Sequence, residues 1–113
     1  MSKQQNRDWY AAFLSAALFV ARRYPEALTL RFQAPDIFVD STFCGAAILG
    51  HMKRLDEARV WADRAVERLK SRPGGNAIIT KGCVQMLLEN NPYRLKEDRD
   101  HFAEGMRIAG VPG

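Results

Sequence analysis

Asp98-Arg99-Asp100-His101 is the one stretch of this 113-residue chain in which carboxylates and an imidazole stand together. Chemistry there would be acid–base catalysis or the beginning of a metal site. On a helix only Asp98 and His101, three apart, can meet, because the adjacent Asp100 and His101 diverge. The same residues are explained by the first turn of a surface helix, where acidic side chains suit the positive end of the helix dipole. That second reading asks for less, and no catalytic residue is assigned. Cys44 and Cys83 sit in apolar surroundings, no Cys-x-x-Cys pair occurs, and His51 and His101 are the only histidines. Zinc-type ligand spacing is therefore missing, and two buried free thiols are expected. Gly74-Gly75 lacks the following Lys and Ser/Thr of a phosphate-binding loop, and Ser15, Ser41 and Ser71 stand in no recognisable arrangement with a histidine. Neither a cofactor nor a metal is expected.

Binding chemistry is better represented. Arg64, Arg68 and Arg72 recur every four residues and would form a stripe on a helix, where guanidinium forks suit an acidic peptide or phosphate groups. Asp63 and Glu67 beside them fit an ordinary solvated face equally well. The net charge is +4, from 17 basic and 13 acidic residues. That surplus is thin and spread through mixed charge, so a nucleic acid is not the expected partner. Tyr10, Phe32, Phe38, Trp61 and Tyr93 are too many rings for a core of this size, and some of them must face a groove or a neighbouring molecule.

Helices must position these residues, since no window alternates with period two. Lys3 and Arg7 precede an apolar run from Tyr10 to Ala21 with the outline of a signal peptide. The run is shorter than the about 20 residues needed to cross a bilayer, and Arg22-Arg23-Tyr24-Pro25-Glu26 lead straight into another helical pattern. A first buried helix, a cytoplasmic setting and no membrane partner are expected. That helix spans about Asp8 to Arg23, with Trp9, Phe13, Ala16 and Val20 on one face and Tyr10, Leu14 and Ala17 beside them. A second starts at Pro25, a good first-turn residue, and stops at Pro35. Asp36 caps a third through Ile37, Phe38, Phe43, Cys44, Ala47 and Ile48 to about His51. The fourth opens on Asp56 and Glu57, closes on Arg68, Lys70 and Arg72, and turns Leu55, Ala58, Ala62, Ala65 and Leu69 to one side. Pro73-Gly74-Gly75 ends it. Asn76 caps a fifth through Ile78, Ile79, Val84, Met86, Leu87 and Leu88, and Asn90-Asn91-Pro92 breaks the chain before a sixth from about Lys96 to Ala109, with Phe102 and Met106 inward. Six helices on short loops predict a single all-α domain, 1–113, built of antiparallel pairs.

The chain also repeats. Arg23-Tyr24-Pro25-Glu26-Ala27 aligns with Arg54-Leu55-Asp56-Glu57-Ala58 at an offset of 31 residues. Each places an alanine three residues after an aromatic or leucine at the start of the second helix of a pair, where two helices must cross closely; Ala65 repeats this seven residues on. The pattern resembles the tetratricopeptide repeat (TPR), a helix–turn–helix unit of about 34 residues. The better match is Thr42 to Pro73, and the repeat-like units are 8–35 and 38–73, followed by a helix pair at 76–110. Gly45 departs from the pattern, standing where leucine is common, and Pro73 arrives about three residues late, which predicts a fourth helix nearly a turn longer than usual. The tail, Asn91-Pro92-Tyr93-Arg94, Glu97-Asp98, Phe102 to Arg107 and Ala109-Gly110-Val111-Pro112, is similar to the ending of bacterial signalling proteins that carry TPR arrays behind a cyclase-type or DNA-binding domain. Lys96 replaces a common proline there, and neither effector domain is present, so no catalytic activity carries over.

The resemblance implies a stack of helical hairpins, the last helix acting as cap, with a concave surface lined by the first, third and fifth helices. Tyr10, Leu14, Thr42, Lys81 and Gln85 would lie on that surface, with Arg64, Arg68 and Arg72 as the charged alternative. The expected function is non-catalytic protein–protein interaction with a peptide or partner helix. The alternatives are a self-assembling structural fragment of a larger signalling protein, with a homodimer burying the first helix, and a weak polyanion or nucleic-acid binder using the arginine stripe.

Overall fold

The computed structural model describes residues 3–34, 39–90 and 95–112. The regular elements among them are all helices: α1 (Lys3–Val20), α2 (Tyr24–Gln33), α3 (Val39–His51), α4 (Leu55–Lys70), α5 (Gly75–Lys81), α6 (Cys83–Asn90) and α7 (Lys96–Ala109). The all-α class holds, with seven helices rather than six among the described residues. The expected fifth helix is divided at Gly82, whose φ of 114° is open to glycine and strained for any other residue. Asn76 does not cap it: α5 begins at Gly75, and Gly74 precedes it in the left-handed conformation. Pro35, Asp36, Ile37, Phe38 and the 91–94 stretch, on which a stop, a cap, a break and two ring placements were expected, lie outside the described residues.

α1 and α2 form one antiparallel hairpin and α3 and α4 a second, with α2 laid against α3. The connection through α5 and α6 then returns α7 across α3, where it also touches α4. The stack is thus capped by its last helix. Phe43, Ala46, Ala47, Ile48 and Leu49 of α3 are all fully buried, as expected of the helix packed between its neighbours. α4 turns Ala58, Ala62, Ala65 and Leu69 inward; Leu55, expected with them, is exposed at the first position of the helix. α4 ends at Lys70, short of Arg72, and the Ser71 hydroxyl donates to the Arg68 carbonyl at 2.8 Å.

α1 is rotated from its expected orientation. Ala12, Ser15 and Phe19 are buried, whereas Phe13 and Ala16 face outward and Val20 is half-buried. A helix apolar around most of its circumference has no strong preferred face, so other contacts choose one. Here the buried Ser15 hydroxyl donates to the Ala27 carbonyl of α2 at 2.7 Å. Small Ala12 and Ser15 let the two helices approach, and the hydrogen bond keeps the buried hydroxyl satisfied.

The 31-residue offset reappears as one turn built twice. Arg22 N–H bonds the Phe19 carbonyl and Arg23 N–H the Leu18 carbonyl, both at 2.9 Å; Lys53 and Arg54 do the same to Gly50 and Leu49, both at 3.1 Å. This double bond pattern is the Schellman ending, and its left-handed residue is Arg22 (φ 65°) in one turn and Lys53 (φ 62°) in the other. The following Arg23 and Arg54 cap the next helices with nearly equal dihedrals, φ −95° and −88°. Each then forks onto the glutamate at the third helical position, Glu26 or Glu57. A lysine in the left-handed region costs about 1–3 kcal/mol, against about 0.5–1 kcal/mol of extra backbone entropy for glycine. Lys53→Gly is therefore expected to stabilise the protein by about 0.5–1 kcal/mol, raising the urea midpoint without changing the slope.

Candidate functional site

The residues singled out for binding fall into three places. Tyr10 and Leu14 share the outer face of α1, where Tyr10 is 63%, Phe13 58% and Leu14 37% exposed. Ala17 is exposed on the same stripe, so the spacing is i, i+3, i+4, i+7. Lys81 and Gln85 flank the Gly82 break and line a hollow of about 260 Å³ together with Ile78, Met86 and Glu89; the Gln85 amide donates to Glu89 Oε1 at 3.1 Å.

The third place lies between α2, α3 and α4. Trp61 of α4 rests over Gly45 of α3, so closely that a β-carbon at position 45 would come within 2.5 Å of the indole Cζ3. The Arg64 guanidinium lies 4.9 Å and that of buried Arg31 5.9 Å from the indole ring centroid, within cation–π range. Phe32 stacks obliquely against the same indole at 5.6 Å. Arg68 turns inward and donates from Nη1 to Thr42 Oγ1 at 2.7 Å. Thr42 is fully buried, so it supports Arg68 and does not line an accessible groove as expected. Arg72 falls in the turn after α4, which interrupts the stripe. Asp63 pairs with Arg59 and Glu67 with Lys70, both at 3.1 Å.

Sequence spacing missed a cluster at the seam of α3 and α7. His101 does not meet Asp98 but turns to the interior, its ring stacked 4.0 Å from that of His51 and 4.5 Å from that of Phe19. Its Nε2 lies 2.5 Å from the Tyr24 hydroxyl. His51 Nε2 donates to the His101 backbone carbonyl at 2.6 Å, which fixes the proton of His51 on that nitrogen because a carbonyl only accepts. Asp98 pairs instead with Arg22 at 3.0 Å. Burial, then the neighbouring His51 and Arg22, push the His101 imidazole down to about 4, with Asp98 opposing; it is neutral at pH 7. The signal available in the sequence was the register of His101, four residues before Gly105 and next to Phe102 on the inward face.

Neither thiol is poised for nucleophilic chemistry. Cys83 is fully buried and Cys44 half-buried. Burial pushes the Cys44 thiol up to about 12 against a smaller downward pull from Arg31, and burial raises Cys83 too. The thiolate, the reactive form, is thereby suppressed at both. Among the described residues no three His, Cys, Asp or Glu side chains are grouped to hold a metal ion, and no helix is long and apolar enough to cross a membrane. Comparisons with protein-family models, with curated proteins and with solved structures return no match.

Proposed function

We propose that this chain is a non-catalytic protein–protein interaction module, a TPR-like stack of two helical hairpins that takes a partner's amphipathic helix along the outer face of α1. The observation that carries the reading is the exposed Tyr10-Phe13-Leu14-Ala17 stripe. α1 packs on α2 and touches α3, and its exposed stripe is apolar at helical spacing, the pattern by which helices recognise grooves and one another. The doubled Schellman turn at the 31-residue offset supports the TPR-like part of the proposal. The setting that goes with it is a cytoplasmic bacterial signalling protein, by likeness of the tail. A polyanion-binding reading is weaker, because Arg68 is committed to Thr42 and Arg72 has left the helix.

The test compares the wild-type chain with a Tyr10→Ser, Leu14→Ser variant. Both residues are exposed, so folding stability should change by no more than about 0.5 kcal/mol each. Affinity for a captured protein should fall about 30-fold or more if these are central contacts worth about 2 kcal/mol together. Sedimentation at rising concentration identifies the case in which the partner helix belongs to a second copy. Capture and self-association that are both unaffected by the substitutions would sink the reading.

A further inference from the structure

We propose that the seam between α3 and α7 is a proton-sensitive latch, in which protonating His101 loosens the C-terminal helix from α3 before the α1–α2 and α3–α4 hairpins open. This goes beyond the interaction reading and does not depend on it.

The seam is closed by backbone proximity and by one cluster of rings. Gly50 and Gly105 bring α3 and α7 so close that a β-carbon on either would collide with the backbone of the other helix. Immediately beside this crossing, the His101 ring packs against both Phe19 and His51, which also face each other at 5.8 Å, and the His51 ring stacks on Tyr24 at 5.5 Å. The groups facing His101 come from four elements. The turn before α2 offers the Arg22 cation, α2 the Tyr24 hydroxyl, α3 the His51 imidazole and α7 the Asp98 carboxylate. Of these only Asp98 could balance a charge on His101, and Asp98 is already held by Arg22.

The neutral ring fits this setting and the charged ring does not. An imidazolium carries hydrogen on both nitrogens. Nε2 has Tyr24 as partner, but Nδ1 is buried with no hydrogen-bond partner, and a buried donor without an acceptor is costly. A second charge would also stand against the His51 ring and near Arg22. Released from the seam, the imidazole regains its ordinary affinity for protons, near 6.5.

The direction of the pH effect follows. In the closed state His101 takes a proton only at about 4, against 6.5 when free, so between these values the open state binds more protons. Acidification favours opening. The latch holds fully above about pH 6.5, weakens as the pH falls, and gains no further sensitivity from this residue below about 4. Opening would uncover Ala47, Gly50 and His51, the strip of α3 that α7 now covers.

Hydrogen exchange followed by mass spectrometry, corrected for intrinsic rates, tests this on the full chain at pH 7 and pH 5. Protection of α7 amides should fall about 20-fold relative to those of α2 and α4, the ratio expected for one group with these two affinities. His101→Phe, which keeps a ring in the stack but cannot take a proton, should remove that dependence. Loss of protection in all helices together, or persistence of the effect in His101→Phe, would overturn the proposal. Should that variant fail to fold, the wild-type chain decides: a His101 ring-proton midpoint near 4 by NMR together with α7 losing protection ahead of α2 and α4 upholds the latch, and a midpoint near 6.5 ends it.

Discussion

Gly105→Ala should unseat the capping helix and lower the stability of the protein by about 2 kcal/mol, even though alanine favours a helix interior over glycine by about 1 kcal/mol. The added methyl would lie 2.7 Å from the Ala47 carbonyl oxygen and 2.7 Å from Cδ2 of His51. The first of these is backbone, so no change of rotamer can relieve it, and α7 must move outward as a unit. Overpacking of this kind costs about 1–3 kcal/mol, and the displaced helix takes Phe102, Met106 and Ala109, all buried, part of the way out of the core. The ring stack of His51 and His101 opens with it. In thermal unfolding followed by circular dichroism the midpoint should drop by about 10 °C for a loss of that size, while Glu104→Ala, on the exposed side of the same helix, should move it by no more than a degree or two. A midpoint raised in Gly105→Ala would mean that helix propensity had won and that α3 and α7 are not in backbone contact.

The parts of this fold that could be read in advance are those whose determinants are local. α4 was legible because Ala58, Ala62, Ala65 and Leu69 define one inward side and because acids open the helix and bases close it. The α2 start was marked by Pro25, and the two turns betrayed themselves by repeating Arg, Glu and Ala at one offset. Their left-handed residues were not foreseen, since Arg22 and Lys53 occupy positions where glycine is the usual signal. α1 could not be oriented because nearly every face is apolar; the choice was made by a hydrogen bond between Ser15 and Ala27, which no pattern of hydrophobicity encodes. Gly82 lies inside a run whose apolar spacing is that of one continuous helix, yet its dihedral breaks that run into α5 and α6.

The candidate site was less legible for the same reason carried further. His51 and His101 are separated by 50 residues, and Tyr24 and His101 by 77. Spacing arguments could only offer His101 its neighbour three residues away, Asp98, which has a better partner in Arg22 across the seam. Among the arginines, the four-residue period was real for Arg64 and Arg68, but the end of α4 at Lys70 removes Arg72 from the stripe. Periodicity says which residues share a face while a helix lasts; it does not say what lies opposite or where the helix stops.

Gly45→Leu should eject the Trp61 indole from the position it now holds and destabilise the protein by about 2–3 kcal/mol, within the upper range for inserting bulk into a packed site. The small residue at position 45 has its physical reason in this contact: the indole occupies the space in which a larger side chain would stand, with ring carbons within 3.2 Å of where a β-carbon would begin. Moving the ring also strips Arg64 and Arg31 of their aromatic surface and Phe32 of its ring partner. The emission of Trp61, measured in a Trp9→Phe background so that one indole reports, should shift to the red as the ring enters water. Trp61→Ala alone should also destabilise, by leaving a void above Gly45. Combined, Gly45→Leu and Trp61→Ala place leucine in that void, and the double variant should be more stable than the sum of the single losses by at least about 1 kcal/mol, the size of coupling found between residues that touch. Additive losses would show that Gly45 and Trp61 do not share one site. The small residue would then need another explanation, and Arg64 would no longer owe its position to the indole.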